Sequence, residues 1–127
     1  MEKNINILLI EDNSGDAYLI EEHLEEFANF SYELNHAETL NETLSILKVK
    51  SFDVILLDLE LPDSYGINTF LCIHKKIPET PIIILSGLND EKVRAFAIKE
   101  GAYDFLVKGQ NECRLIECIR QCSLDTW

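Results

Sequence analysis

Long apolar runs are missing from these 127 residues; the longest, such as Val54–Leu57 and Ile82–Leu85, are far too short to span a bilayer. The start, Met1-Glu2-Lys3-Asn4, leads directly into a strand-like run. It lacks the basic opening, apolar stretch and small-residue cleavage site of a secretory signal, so a cytoplasmic protein is expected. Positive charge is scarce as well. Eleven Lys and Arg stand against 23 Asp and Glu, a formal net charge of −12, and the basic residues are scattered. A phosphate backbone is repelled by such a surface, which argues against nucleic-acid binding by this chain alone. The cysteines Cys72, Cys113, Cys118 and Cys122 form no Cys-x-x-Cys pair, and no histidine lies close in sequence to the last three. They read as reduced thiols acting as small apolar or helix-surface residues rather than as a zinc site. His23, His36 and His74 are widely separated and read as surface or structural residues.

Two kinds of segment alternate along the chain. Ile5–Glu11 is rich in Ile and Leu, as a strand buried on both faces would be. After the turn at Asp12–Gly15, Ala17, Ile20, Leu24 and Phe27 recur at helical spacing, with glutamates on the other faces. Tyr32–His36 is a weaker strand candidate, and Leu40, Leu44 and Leu47 mark a second helix that begins near Thr39 or Asn41. Asp53–Asp58 is a short apolar run that stops at a carboxylate. Beyond the Leu61-Pro62-Asp63 loop, Ile67, Phe70, Leu71 and Ile77 outline a third helix. Pro81–Leu85 is the next buried strand. A fourth helix, capped by Asn89 or Asp90, turns Val93, Phe96 and Ala97 inward and stops at Gly101. Tyr103–Val107 is a fifth strand, and a last helix from about Asn111 to Ser123 buries Leu115, Ile116, Ile119 and Cys122. Five strand–helix units in alternation predict an α/β fold with a five-stranded parallel sheet and helices on both faces. With no linker, repeat or low-complexity tract, residues 1–127 are expected to form a single domain.

Polar residues collect at the predicted strand ends: Glu11-Asp12 after the first, Asp58 after the third, Ser86-Gly87 after the fourth, Lys108 after the fifth. Open α/β sheets bind ligands outside the carboxyl ends of their strands, where strand order reverses. If the first and third strands are neighbours, Glu11, Asp12 and Asp58 converge on one crevice, and their repulsion calls for a cation. Mg²⁺ suits a few carboxylates and retained waters. An ionised Asp is nucleophilic without a separate base, and Mg²⁺, Lys108 and the Ser86 hydroxyl can compensate phosphoryl oxygens. Singly, each residue has an ordinary reading as a cap, turn or surface charge; their joint occurrence at four strand ends favours a site.

The ordered set Glu11-Asp12, Asp58, Ser86 and Lys108, with the segments DVILLDLELPDSYG, TPIIILSG and GAYDFLVK, resembles the receiver domains of response regulators in two-component signalling, chemotaxis-regulator-like in form. The resemblance spans essentially the whole chain. It implies a flavodoxin-like strand order 2-1-3-4-5. It also implies Asp58 as phosphoacceptor, Mg²⁺ held by Glu11, Asp12, Asp58 and the Glu60 backbone carbonyl, and Ser86 and Lys108 on the phosphoryl group. Phe105 falls at the position of the aromatic switch residue, which turns inward when the switch hydroxyl moves toward phosphate. An aromatic on the last strand is equally at home as packed core.

The implied function is a phosphorylation-dependent switch rather than an enzyme acting on a metabolite. It would catalyse only the phosphorylation and dephosphorylation of its own aspartate. A sensor histidine kinase or phosphotransfer protein would donate from phosphohistidine. A downstream protein, or a second copy in a homodimer, would meet the surface of the fourth helix, fifth strand and fifth helix, around Val93, Arg94 and Ile98. A stand-alone receiver and a module of a longer regulator both fit. Three departures from the family pattern stand out. Gly109 replaces the usual proline with its cis bond, which bears on the placement of Lys108. Phe105 lacks the hydroxyl of the commoner Tyr. Glu60 adds a carboxylate two residues after the acceptor and is expected to influence phosphoryl lifetime. The rival readings are a small α/β hydrolase or phosphatase using Asp58, a flavin-binding domain, and a pseudo-receiver that Gly109 alone encourages. Against the hydrolase stands the lack of a cap insertion, and against the flavin domain the lack of a phosphate loop after the first strand.

Overall fold

The computed structural model describes residues 3–110 and 112–124. The chain runs β1 (Ile5–Ile10), α1 (Ser14–Phe27), β2 (Tyr32–Ala37), α2 (Leu40–Leu47), β3 (Val54–Asp58), β4 (Glu60–Leu61) and β5 (Ser64–Tyr65). It continues with α3 (Ile67–Lys76), β6 (Ile82–Ser86), α4 (Glu91–Lys99), β7 (Asp104–Val107) and α5 (Glu112–Leu124). Five strands form one parallel sheet in the order β2-β1-β3-β6-β7, which is the expected 2-1-3-4-5 arrangement. The short antiparallel hairpin β4–β5, unforeseen in the sequence, lies between β3 and α3. The start expected for the last helix, Asn111, lies outside the described residues.

Apolar strands fold this way because both faces of the sheet are covered. Alternate residues of β1 and β3 point to opposite layers. Ile7, Leu9, Val54 and Leu56 pack with Ala17 and Leu24 of α1 and Leu115, Ile116 and Ile119 of α5. Leu8, Ile10, Ile55 and Leu57 pack with Phe70 and Ile73 of α3 and Ala97 of α4. Each such fully buried aliphatic side chain contributes about 1.5–3 kcal/mol, so the two layers hold β1 and β3 side by side. Among the described residues, no helix is long and apolar enough to cross a membrane.

The helix starts follow capping chemistry. Asn13, Thr39 and Asp90 each accept a hydrogen bond from a backbone N–H in the first turn of α1, α2 and α4. Asp63, in the hairpin, accepts from Leu40 N and Asn41 N at 2.8 and 2.9 Å and ties the start of α2 to the segment that follows Asp58. Two aromatic residues expected inside are half-exposed, Phe27 at 55% and Phe96 at 42%. Phe27 closes the last turn of α1 and pairs with the His23 ring at 4.9 Å. Phe96 lies one position, about 100° of helix rotation, from the fully buried Ala97, which is the residue that faces the sheet. In α2 the buried residue is Thr43, whose hydroxyl donates to Thr39 O at 2.8 Å, while Leu40 and Leu47 are partly buried.

Candidate functional site

Adjacent strands β1 and β3 carry the acidic residues to one edge of the sheet. Ile10 lies beside Leu57 in register, so Glu11, one residue beyond β1, stands beside Asp58, the last residue of β3. Glu11, Asp12 and Asp58 each offer a carboxylate oxygen within 4.8 Å of the others. Glu11 and Asp58 are buried, Asp12 exposed. The backbone fixes Glu11 on both sides. Its N–H donates to Ala37 O at 2.9 Å, and its carbonyl accepts from His36 Nε2 at 2.6 Å. Since a carbonyl only accepts, Nε2 carries the proton. His36, a surface or structural residue by sequence, thus supports the site from β2.

Lys108 enters from the end of β7, where its N–H donates to Ser86 O at 2.7 Å. Its ammonium lies 2.7 Å from Glu11 Oε1, 3.2 Å from Asp58 Oδ2 and 2.9 Å from Asp16 Oδ2. Burial opposes the ammonium charge, but the Glu11 and Asp16 carboxylates outweigh it and hold the lysine above its ordinary range. Glu11 responds in the opposite sense to its surroundings. Burial first, then neighbouring Asp58, push its carboxyl from 4.5 up to about 7, against the pull of Lys108. Asp58 uses both oxygens, Oδ1 accepting from Glu60 N at 3.1 Å and Oδ2 from Lys108. The Glu60 side chain is exposed. Ser86 ends β6, beside Val107 in register, and its Oγ accepts from Leu88 N at 3.1 Å. Phe105 sits in the α3–α4 layer, 1% exposed.

Gly109 leaves Lys108 able to reach Asp58. The described chain has no cis peptide bond, and Gly109 takes φ +79°, a conformation closed to proline with its φ near −65°. Asp16 was not anticipated. An acidic residue in the first turn of a helix is ordinary dipole chemistry, and only the fold shows that it meets a lysine 92 residues away. Asp104 was also unanticipated: it accepts from Arg114 Nε and Nη2 at 3.0 and 2.8 Å and fastens α5 to β7. Beside Lys108, an open groove of about 500 Å³ runs between α1 and the start of α5, with Leu19, Ile20, Phe27 and Leu115 in its walls.

The residues fit a small hard cation. Three carboxylates (Glu11, Asp16, Asp58) share the Lys108 ammonium, two of them buried, and Asp12 adds a further carboxylate beside Glu11 and Asp58. All donors in the tight cluster are oxygens, as Mg²⁺ prefers.

A parallel sheet in this order, with three carboxylates, a hydroxyl and a lysine at its carboxyl edge, defines an α/β domain with an acidic pocket. Residues 7–120 match the family described as the response regulator receiver domain. The chain belongs to that family, and with it to phosphorylation-dependent two-component signalling; it is a switch module rather than a classical enzyme. It is 39% identical over 106 residues to the cell cycle transcriptional regulator CtrA of Caulobacter vibrioides, covering 82% of this chain and 44% of that protein. To the cell cycle response regulator CtrA of Brucella ovis it is 34% identical over 114 residues, 88% of this chain and 47% of the relative. The chain thus spans less than half the length of these curated relatives. Among solved structures, the Francisella response regulator 1452 receiver domain superposes with TM-score 0.85 at 27% identity, covering 98% of this chain and all of that one. A receiver domain protein from Clostridium thermocellum gives 0.79 at 30% identity, covering 93% of each chain.

Proposed function

We propose that residues 1–127 form one cytoplasmic receiver domain in which Asp58 accepts a phosphoryl group from the phosphohistidine of a sensor histidine kinase or phosphotransfer protein. The observation that carries this reading is Lys108, whose ammonium spans Asp58 Oδ2 at 3.2 Å and Glu11 Oε1 at 2.7 Å beside the three-carboxylate cluster. Asp58 Oδ2 attacks phosphorus, the P–N bond breaks, and its electron pair returns to the donor imidazole. Glu11, Asp12, Asp58 and the Glu60 carbonyl would hold Mg²⁺, which when bound supplies positive charge to the phosphoryl oxygens. Lys108 supplies a second, fixed positive charge next to the attacking oxygen. Ser86 Oγ accepts from Leu88 N–H, so its own proton is available to donate to a phosphoryl oxygen.

Phosphorylation then shifts a pre-existing equilibrium in the segment from Ser86 through α4 and β7. The output surface, for a downstream protein or a homodimer contact, is α4–β7–α5, where Phe96 and Ile98 of α4 stay 42% and 44% exposed. The domain turns over no external metabolite. Incubation with Mg²⁺ and an acyl-phosphate donor, followed by intact-protein mass, tests the proposal. One phosphoryl group added to the wild type and none to Asp58→Asn supports it; equal labelling of both sinks it.

A further inference from the structure

Arg94 departs from the surface role that its position on α4 suggests. Its Nη1 donates to the Phe105 carbonyl at 2.7 Å, and its guanidinium carbon lies 5.0 Å from the centroid of the Phe105 ring. Its Nε is 3.7 Å from Glu91 Oε1 on the same helix, and the side chain is 30% exposed. The Phe105 ring beneath it is buried in the layer of Phe70, Ile84 and Ala97. One arginine therefore grips one residue twice, by backbone hydrogen bond and by cation–π contact. The ring is inward here while Ser86 Oγ accepts from Leu88 N.

We propose that Arg94 is a positioning residue that holds the Phe105 ring buried in both states of Asp58, so that α4, not a rotamer change of the ring, carries the signal. The grip itself stands on the contacts above; its part in activation rests on the receiver reading. Covalent connection supplies the route. Ser86 ends β6, Leu88 N–H is tied to its hydroxyl, and Asp90 caps α4 through Lys92 N and Val93 N. Arg94 N donates to Asp90 O at 2.9 Å. When the hydroxyl turns toward a phosphoryl oxygen it releases Leu88 N–H, and the short loop passes the movement to the first turn of α4. Because Phe105 has no hydroxyl, its inward position needs another anchor, and Arg94 provides one from the moving helix.

The test uses protein with ¹³C-labelled phenylalanine, the Phe105 signals being assigned with Phe105→Leu. Wild type, Arg94→Ala and Arg94→Lys are compared with and without Mg²⁺ and beryllofluoride. Wild-type ring signals are expected to stay in place on beryllofluoride addition while the Val93 and Arg94 amides shift. In Arg94→Ala the ring signals should move toward solvent-averaged values. Arg94→Lys keeps a charged donor and should recover part of the effect. Unchanged ring signals in unliganded Arg94→Ala, or wild-type ring signals that relocate on beryllofluoride, would overturn the proposal. If the wild type binds no beryllofluoride, the phosphoacceptor reading fails, and the unliganded ring signals alone decide the grip.

Discussion

Replacing Glu11 by Gln should stabilise the metal-free protein at pH 8 and lose that advantage as the solution is made acidic. In the folded chain the carboxyl titrates at about 7 instead of 4.5, because it is buried beside Asp58. The folded state therefore holds a proton that the unfolded state releases between these values. The wild-type contribution of this group is fully present below 4.5, declines as pH rises through the window and levels off above 7. At about 1.4 kcal/mol per pH unit, the whole decline amounts to about 3 kcal/mol. Gln carries no charge and escapes it. The pull of the 2.7 Å ion pair with Lys108 is already contained in that value, and the ammonium keeps Asp16 and Asp58 in the variant, so the net advantage at pH 8 is about 3 kcal/mol. Urea denaturation of both proteins in EDTA at pH 5, 6, 7 and 8 measures the gap. Mg²⁺ should close it at pH 8, by stabilising the wild type alone. A gap that is constant with pH, or that widens toward pH 5, would refute the placement of Glu11 in a carboxylate pocket short of counter-charge.

Lys108→Ala removes the one ammonium that the described residues place in this pocket. It is expected to lower stability at pH 8 by about 2 kcal/mol and to slow acyl-phosphate labelling about 100-fold, read by denaturation and by timed intact mass. Gly101→Ala should cost about 2 kcal/mol in the same denaturation assay. At φ +117° its Cβ would stand 2.6 Å from His74 Nε2, displacing a ring stacked on Phe70 at 5.2 Å. Glu60→Asn should change the phosphoryl half-life several-fold while leaving the labelling site unchanged, since the exposed Glu60 side chain follows the acceptor by two residues. An unchanged decay rate would exclude the Glu60 side chain from phosphoryl loss.

Much of this molecule is readable from its residues because burial on both faces leaves a plain mark. Strand β1, interrupted only by Asn6, and strands β3 and β6 are apolar runs ending at Glu11, Asp58 and Ser86, so the fold and much of the pocket follow from one pattern. β2 is harder to see, since an edge strand that carries exposed polar residues such as Glu33 and His36 resembles a loop. Phe27 and Phe96 mislead for a different reason: helical spacing gives a face, but not where the helix overruns the sheet or how wide the covered stripe is. Asp16, Asp63 and Arg94 could not be found locally. Each acts on a partner far along the chain, Lys108, the start of α2 and Phe105, and only the assembled sheet brings those pairs together.

The central claim is that Asp58, and no other residue, takes the phosphoryl group. Its most direct test is to label the protein with an acyl-phosphate donor and Mg²⁺, reduce the product with borohydride, and map the modified peptide. Conversion confined to Asp58 and abolished by EDTA during labelling is the predicted result. Conversion at another carboxylate, or none even when a phosphohistidine protein is the donor, would contradict the account.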